Sequence, residues 1–389
     1  MKKLRIGLVG AGFAAALHAD AIALVPGIDA AYKTVSDLTS RRDDFAKRFG
    51  IGETAADWTD MLRDKEIDII DIATPVAQHM PMIVKALEAG KHVMCEKPLT
   101  GYCGLPGDKD PIGKTVSKKR MYETVCENAE LLKEKVKKSG RQFFYSENFV
   151  YAPSLQKILQ VMKARKSRIM MIRAEEWHSG SHASHAGRWD QTGGGVMIRM
   201  ACHPLSAALY LKRECEKNRG ADCEVKFVYG QSANIIASLH EEDLTHIAAR
   251  PYDVDDWAKI LVSFSDTSVA DISCSDFALG GTRNVIDVYT NNCMLNANLS
   301  PNNEAMGYFP DDRGMEDVYL AEKIETKQGY QYIYSCEAIT RGYMGEMRDF
   351  LECAASGRTP QSGIDLAAET VKVIYAGYLA GETGSPVKF

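Results

Sequence analysis

Lys97 stands one residue after an apolar segment, residues 91–95, and is followed by Pro98. The segment is typical of a buried strand, and dinucleotide-binding sheets hold the reactive end of their cofactor at the carboxyl ends of their strands. An ammonium group there can stabilise negative charge on a substrate oxygen, and the amine can act as a base if its pKa is lowered. Oxidation of a secondary alcohol needs such groups. We therefore predict a hydride-transferring enzyme with Lys97 as a catalytic residue.

A histidine is the second candidate for this chemistry, because its pKa lies close to neutral pH and it can accept a hydroxyl proton. His203 follows the triple glycine at 193–195. Taken alone, a histidine in such an apolar segment is more often a buried core residue with satisfied hydrogen bonds. The catalytic role of His203 therefore depends on the family resemblance described below.

The N-terminal segment predicts the nucleotide site that Lys97 would serve. An apolar run at residues 4–9 is followed by Gly10-x-Gly12-x-x-Ala15. Gly10 would permit the tight turn, and Gly12 would let a pyrophosphate approach the backbone. The helix that starts near Phe13 and Ala14 would direct its free N–H groups at the phosphates.

An acidic residue completes this fingerprint. Asp37 ends a second predicted strand, residues 30–36, and lies about 20 residues past the glycines, where a ribose contact is expected. A carboxylate there would repel a 2′-phosphate, so NAD is the predicted cofactor. Arg41 and Arg42 leave NADP open, because arginine can accept that phosphate, although we interpret both as solvated residues of the next helix.

Strands and helices continue to alternate up to residue 146. Apolar strands are predicted at 67–73, 91–95 and 142–145, with a helix at 80–89 that ends before Gly90. Such alternation builds right-handed βαβ units. We predict an α/β protein with a doubly wound parallel Rossmann sheet in residues 1–146 and a second domain in residues 147–389.

The chain resembles the Gfo/Idh/MocA oxidoreductases, the relatives of glucose–fructose oxidoreductase and inositol dehydrogenase. The resemblance is carried by motifs along nearly the whole sequence: Gly10-x-Gly12-x-x-Ala15, Thr74-Pro75 with His79, the run 89–98 ending in Glu96-Lys97-Pro98, the triple glycine with His203, a helix at 342–350, and a closing strand at 381–389. It implies NAD(P)-dependent oxidation or reduction of a polyol or sugar hydroxyl, catalysed by Lys97 and His203. It also implies that Thr74, Pro75, His79 and Glu96 help to bind the cofactor.

The resemblance further implies a C-terminal α/β domain with an open, mostly antiparallel sheet. Residues 169–177, 257–264, 268–274 and 285–289 alternate as long strands, which suits a sheet with one buried and one free face. Because the sheets of this family often pair into oligomers, we expect a homo-oligomer.

Two features depart from the family pattern. An aspartate commonly precedes the histidine by four residues, but Arg199 occupies that position here. We expect Arg199 to face the pocket, where it could lower the pKa of Lys97 or hold a carboxylate or hydroxyls of the substrate; alternatively it points elsewhere and another acid substitutes. The segment 101–119, inserted after Thr100, is predicted to be a loop that serves as a lid, a substrate wall or a subunit contact.

A polar cluster is predicted to bind the substrate. It comprises Glu176, His178, His185 and Trp189, together with Arg199 and His203. His178, His182 and His185 lie within eight residues, but their spacing is not a zinc signature, so sugar hydroxyls are preferred to a metal. This run and the 101–119 insertion look most like the bacterial glycoside 3-oxidoreductases, which oxidise the 3-hydroxyl of a sugar ring.

Composition narrows the classes of function. The net charge of −5 gives no basic footprint for nucleic acid. No apolar run approaches the ~20 residues of a membrane span, and the chain enters a strand almost at once, without room for a signal peptide. Ten cysteines without C-x-x-C pairs are typical of reduced thiols, so we expect a cytoplasmic protein.

Three functions remain open at this stage. The favoured one is an NAD-dependent sugar or glycoside dehydrogenase, with its cofactor exchangeable or, as in some relatives, tightly bound. The second is an NAD-dependent glycosidase that acts through transient oxidation of the ring. The third is a non-catalytic sensor of sugar or NAD, which the presence of Lys97 and His203 disfavours.

Overall fold

The computed structural model describes residues 3–181, 183–300 and 305–389. The first part of the chain forms a parallel sheet of six strands in the order β3-β2-β1-β4-β5-β6. Its strands are β1 Leu4–Val9, β2 Ala30–Ser36, β3 Glu53–Ala55, β4 Ile69–Ile72, β5 His92–Glu96 and β6 Phe143–Ser146. Its helices are α1 Phe13–Ala23, α2 Thr39–Phe49, α3 Asp60–Arg63, α4 His79–Glu88, α5 Ile112–Thr115 and α6 Lys118–Ser139.

This strand order creates the crevice in which a dinucleotide is held. The chain runs outward from β1 to β3 and then returns to β4 on the other side of β1. At such a switch point the loops after neighbouring strands diverge and leave a crevice at their carboxyl ends. The strands are apolar because both faces of the sheet are covered; all four residues of β4 are buried.

The second part of the chain forms a seven-stranded sheet in the order β12-β11-β7-β10-β9-β8-β15. Its strands are β7 Ile169–Trp177, β8 Val225–Ala233, β9 Trp257–Phe264, β10 Val269–Ser275, β11 Arg283–Thr290, β12 Met294–Asn298 and β15 Val387–Lys388. Among the described strands of this sheet, β7 and β10 pair in parallel and the other neighbours pair antiparallel. A separate antiparallel pair consists of β13 Ala305–Phe309 and β14 Gly329–Ile333.

Helices cover one face of the larger sheet. The helices of this part are α7 Pro153–Arg165, α8 Trp189–Thr192, α9 Val196–Arg199, α10 Cys202–Asn218, α11 Glu337–Thr340, α12 Tyr343–Ser356 and α13 Ile364–Thr383. Helices α10 and α13 pack on the sheet. On β9, Ile260 and Val262 are buried on the covered face, while Lys259 on the other face is exposed. The alternation predicted from the sequence thus arises from one covered and one open face.

The fold class predicted from the sequence is confirmed, with local corrections. The segment 101–119 is not one continuous loop, because it contains α5 and the first two residues of α6. The closing strand is short: α13 continues to Thr383, and only Val387–Lys388 pair with β8. None of the helices in the described ranges has the length and apolarity needed to cross a bilayer.

Candidate active site

A cavity of about 350 Å³ lies between the carboxyl ends of the parallel strands and the second sheet. The first domain contributes residues of the glycine turn and of the loops after β4 and β5, namely Phe13, Ala14, Leu17, Thr74, Pro75, Val76, Glu96, Lys97 and Pro98. The second part of the chain contributes, among others, Glu176, His178, His185, Arg199 and His203. The structure therefore brings both predicted catalytic residues and most of the predicted binding residues to one place.

The glycine turn fits a pyrophosphate. Gly10 has φ of +100°, and a Cβ there would stand 2.3 Å from the carbonyl oxygen of Ala73, so a side chain is excluded. A Cβ at Gly12 would meet no atom within 4 Å, which leaves open space above the first turn of α1. No side chain caps this helix, so its first N–H groups remain available to an anion.

Two residues predicted to contact the cofactor have other partners. Asp37 accepts hydrogen bonds from the N–H groups of Ala11 (2.6 Å) and Leu38 (2.5 Å), so it braces the glycine turn; its ribose contact remains a prediction. His79 is buried and does not line the cavity. Its ring nitrogens lie 2.8 Å from the carbonyl oxygens of Thr74 and Pro98. His79 therefore positions the loops after β4 and β5. This supporting role replaces the direct contact with the cofactor that was predicted for His79.

Lys97 is held as a cation. Its Nζ donates a hydrogen bond to the Arg199 carbonyl oxygen at 2.9 Å. Burial alone would lower the pKa of Lys97, but the neighbouring Cys202, Glu176 and other acidic groups outweigh burial and raise this pKa. The predicted lowering of this pKa by Arg199 is wrong, because the Arg199 guanidinium forms an ion pair with Asp276. Arg199 does line the cavity, as expected.

His203 is held as a neutral base. Burial, assisted by the positive charges of Lys97 and Arg341, keeps the pKa of His203 well below its usual range. Its Nδ1 lies 2.7 Å from Oε1 of Glu147, and its ring stacks on Phe149 with centroids 4.9 Å apart. A single proton held between Nδ1 and Oε1 leaves Nε2 unprotonated and able to accept another.

Glu147 is the carboxylate that the sequence motif appeared to lack. Burial raises the pKa of Glu147, whereas the Lys97 ammonium opposes this shift. Glu147 was missed because its partner lies 56 residues further along the chain. One signal could have found it: Glu147 follows β6 directly, just as Lys97 follows β5, so both stand at the same edge of the sheet.

A second network lies beneath Lys97. His18, on α1, is fully buried between two carboxylates: its Nδ1 is 3.0 Å from Asp71 and its Nε2 is 2.9 Å from Glu96. Although burial opposes the charge, these carboxylates raise the pKa of His18 well above its usual value. The cationic ring therefore ties the cofactor-binding helix to the strand end that carries Lys97.

The substrate end of the cavity contains titratable groups with shifted pKa values. Burial raises the pKa of Glu176 to about 7, so this carboxyl can either donate or accept a hydrogen bond near neutral pH. Burial and the charge of Arg199 lower the pKa of His178 to about 3. The neutral His178 ring accepts the Gly180 N–H at 3.0 Å.

Several buried polar atoms of the cavity wall are left without a hydrogen-bond partner among the described residues. They are Oε2 of Glu176, Nε of Arg199 and Nε of Arg341. An unsatisfied buried polar group costs about 1–3 kcal/mol, so these three side chains retain unused hydrogen-bonding capacity at the cavity wall.

Trp189 and the 101–119 segment do not contact this space. The buried Trp189 indole donates to the Tyr102 carbonyl oxygen at 3.0 Å and packs on Tyr378, so its predicted substrate contact is wrong. The Tyr102 N–H in turn donates to the Tyr375 hydroxyl at 2.6 Å. The segment therefore packs against α8 and α13, and none of its residues forms a wall of the cavity.

The histidine cluster of the sequence is not brought together as a ligand set. His178 and His185 line the cavity, and His182 lies outside the described residues. In the described ranges, the group of His, Cys and acidic ligand atoms that converges within 4.8 Å is Glu147, Cys202 and His203. Burial raises the pKa of the Cys202 thiol, although the Lys97 cation opposes this shift.

Other cavity residues were missed because they come from an irregular part of the chain. Arg341 precedes α12 and forms ion pairs with Glu322 and Glu337, both at 2.8 Å. Thr282, Lys323 and Tyr343 also line the cavity. No periodicity or spacing in the sequence indicates that these distant residues converge.

Comparisons with known proteins identify the family of the chain. A family model described as "Oxidoreductase family, NAD-binding Rossmann fold" matches residues 4–104, and the "GFO/IDH/MocA C-terminal domain" model matches residues 165–296. Together the two models cover more than half of the chain. NAD, the cofactor predicted from the glycine turn and Asp37, is thereby confirmed.

Similar proteins include sugar and polyol dehydrogenases. The chain is 23% identical to levoglucosan dehydrogenase of Pseudarthrobacter phenanthrenivorans over 381 residues, which covers 92% of this chain and 90% of that protein. It is 35% identical over 100 residues to inositol 2-dehydrogenase of Rubrobacter xylanophilus, which covers 25% of this chain and 28% of that protein.

Solved structures match the fold over the full length. GenD2 from gentamicin A biosynthesis, in complex with NAD, has a TM-score of 0.79 at 21% identity and covers 100% of this chain and 97% of its own. Levoglucosan dehydrogenase in complex with NADH and L-sorbose has a TM-score of 0.73 at 20% identity, with 100% and 99% covered. At these identities the similarity shows the fold alone.

Proposed function

Because the chain belongs to the Gfo/Idh/MocA oxidoreductase family, we propose that it is an NAD-dependent dehydrogenase acting on a secondary hydroxyl of a sugar or glycoside. One observation carries the proposal: a cationic lysine and a neutral histidine share a cavity with unpartnered polar atoms. The first two groups suit removal of a proton from an alcohol. The remaining atoms suit a ligand rich in hydroxyls.

The residues that would hold the cofactor belong to the first domain. The open turn at Gly12 and the free N–H groups at the start of α1 would bind the pyrophosphate. Asp37, at the end of β2, would accept a ribose hydroxyl. Thr74, Pro75 and Glu96 line the part of the cavity that leads from this turn to Lys97.

When bound, NAD accepts the hydride, so the alcohol leaves as a ketone once its hydroxyl proton has been removed. His203 Nε2 accepts that proton, and Glu147 stabilises the positive ring through Nδ1. Lys97 stabilises negative charge on the same substrate oxygen. The hydrogen bond from Nζ to the Arg199 carbonyl keeps this ammonium oriented.

The remaining polar groups would position the sugar ring. Glu176 and Arg199 each offer an unpartnered atom, and His178 and His185 line the same space. The sugar dehydrogenases among the relatives support this substrate class. Within it, we propose the 3-hydroxyl as the site of oxidation, because the sequence run from His178 to His185 and the 101–119 insertion resemble those of glycoside 3-oxidoreductases.

We further propose a domain boundary at residues 146/147 and a cytoplasmic homo-oligomer that associates through the open face of the larger sheet. This face carries Trp257 and Leu261, both partly exposed, and the exposed Lys259. Light scattering coupled to size-exclusion chromatography tests the assembly, and a monomer at micromolar concentration would refute it.

The activity is tested by mixing the purified protein and NAD with a panel of sugars and glycosides while following reduced-nicotinamide absorbance. We expect absorbance to rise with at least one member, and to stay flat for Lys97→Met and His203→Ala. Release of free aglycone would support the glycosidase instead. NAD binding without turnover of any sugar would support the sensor. Absorbance of the protein before NAD is added shows whether nucleotide is retained through purification.

A further inference from the structure

A second cavity, of about 600 Å³, adjoins the proposed active site. Its walls are the loop 278–283, the loop 321–328 and the edge of strand β14. Thr282 lines both cavities. The second cavity therefore adjoins the active site on the side that the second domain forms. The glycine turn of the first domain lies on another side of the active site.

The two loops contribute residues to both cavities and are fastened to each other. The Thr282 hydroxyl donates to the Glu322 carbonyl oxygen at 3.4 Å, and the Gly280 N–H lies 3.3 Å from the Glu325 carboxylate. A Cβ at Gly281 would be in ordinary contact with Ile324, 3.5 Å away. These contacts fix the two loops at the place where the cavities adjoin.

The lining of the second cavity combines large, exposed apolar side chains with polar ones. Tyr330 is 74% exposed, Tyr332 is 52% exposed and Leu279 is 55% exposed, which is unusual for large apolar side chains gathered in one concavity. The Tyr330 ring is supported by Tyr308 on β13, with centroids 5.0 Å apart. These side chains offer ring faces and aliphatic surface to a partner.

Two charged side chains of the described residues line this cavity, and one of them is held in an ion pair: Arg283 contacts Glu175 at 2.6 Å. The other, the Glu325 carboxylate, accepts from the Gly280 N–H. Its negative charge disfavours an anionic ligand. An uncharged ligand with a flat face fits these walls better than a phosphate or a carboxylate.

We propose that the second cavity is a substrate subsite, which holds an uncharged ring joined to the sugar through its glycosidic oxygen. The inference rests on the proposed function, since the oxidised sugar would occupy the first cavity and the attached ring would pass Thr282 into the second. The preferred substrates are then glycosides carrying an aromatic or sugar ring, and not free monosaccharides.

Steady-state kinetics test the subsite with one sugar in four forms: free, methyl glycoside, aryl glycoside and disaccharide. The wild-type protein should show kcat/KM at least about tenfold higher for one of the ring-bearing forms than for the methyl glycoside. The aryl and disaccharide arms decide which kind of ring is bound. Equal values for all four forms would overturn the subsite while leaving the proposed function intact.

Variants separate the subsite from other roles of the same surface. Tyr330→Ala and Leu279→Ala should each raise KM for the ring-bearing substrate by about threefold to tenfold and leave kcat and the methyl glycoside unchanged. Tyr229 is an exposed tyrosine on β8 that does not line the cavity. Tyr229→Ala should therefore change the kinetics of neither the ring-bearing substrate nor the methyl glycoside. A loss of oligomeric state with Tyr330→Ala, without a change in selectivity, would assign the surface to a subunit contact and overturn the proposal. Absence of turnover for every form, with NAD bound, would refute the proposed function itself.

Discussion

Replacing Glu147 by glutamine tests how His203 is made basic. The Glu147 carboxylate lies 2.7 Å from Nδ1 of His203, and both groups are buried. The hydrogen bond between Glu147 and His203 becomes a buried ion pair when Nε2 of His203 has taken the substrate proton. This bond therefore stabilises the transition state more than the ground state. A hydrogen bond to a charged group contributes about 1.5–3 kcal/mol. Glu147→Gln should therefore reduce kcat by about tenfold to a hundredfold with little change in KM.

The pH dependence gives this prediction a second readout. His203 must be unprotonated to act, so it governs the acid limb of the kcat profile. Burial already lowers the pKa of His203, and loss of the carboxylate would lower it further, moving that limb to lower pH. Stopped-flow measurement of reduced-nicotinamide absorbance from pH 4 to pH 8 follows both effects.

A matched control separates catalysis from the loss of a buried carboxyl. Glu346 is equally buried, and burial raises the pKa of both carboxyls. Among the described residues, neither oxygen of Glu346 has a hydrogen-bond partner. Because Glu346→Gln removes no hydrogen bond to His203, its kcat should stay close to wild type. The reasoning fails if Glu147→Gln retains kcat within twofold with an unshifted acid limb, or if both variants lose activity equally.

Two further predictions concern stability and the glycine turn. His18→Gln should destabilise the protein by about 3–5 kcal/mol, because it leaves two buried carboxylates without their cation. The pKa of His18 is raised in the folded state. The difference in free energy of unfolding between variant and wild type, measured with urea, should therefore be fully present below pH ~6.5 and shrink as pH rises through the folded pKa. A difference that grows with pH would contradict a charged His18 ring. Gly10→Ala should lower stability by about 2–4 kcal/mol, because its Cβ would meet the Ala73 carbonyl in a left-handed conformation. Gly12→Ala, with open space around its Cβ, should leave the melting temperature within a few degrees of wild type but weaken NAD binding in calorimetry. Equal behaviour of the Gly10 and Gly12 variants would refute the assignment of the glycine turn as the pyrophosphate site.

Local constraints explain what the sequence could predict. Gly10 was identifiable because a positive φ beside a strand end requires glycine, and Lys97 because strand ends converge at one edge of a parallel sheet. Strands such as β7 and β9 were predicted to the residue, because one covered face imposes strict alternation.

Convergence of distant segments explains what the sequence could not predict. The partner of Arg199 is Asp276, 77 residues away, so no local spacing indicates that its charge is compensated. Trp189 lies in a polar cluster of the sequence, but the Tyr102 carbonyl and Tyr378 draw its ring into the core. Arg341 reaches the cavity from an irregular segment whose path depends on its ion pairs with Glu322 and Glu337.

Single-turnover hydride transfer in Lys97→Met tests the central claim most directly. Methionine preserves the length and apolar stem of Lys97 and removes the cation that its acidic neighbours stabilise. With a substrate identified by the sugar panel, NAD should bind to both proteins with similar affinity, while the rise in reduced-nicotinamide absorbance slows by about 10²–10⁴-fold in the variant. Hydride transfer by Lys97→Met at close to the wild-type rate would contradict the claim that this ammonium acts on the substrate oxygen.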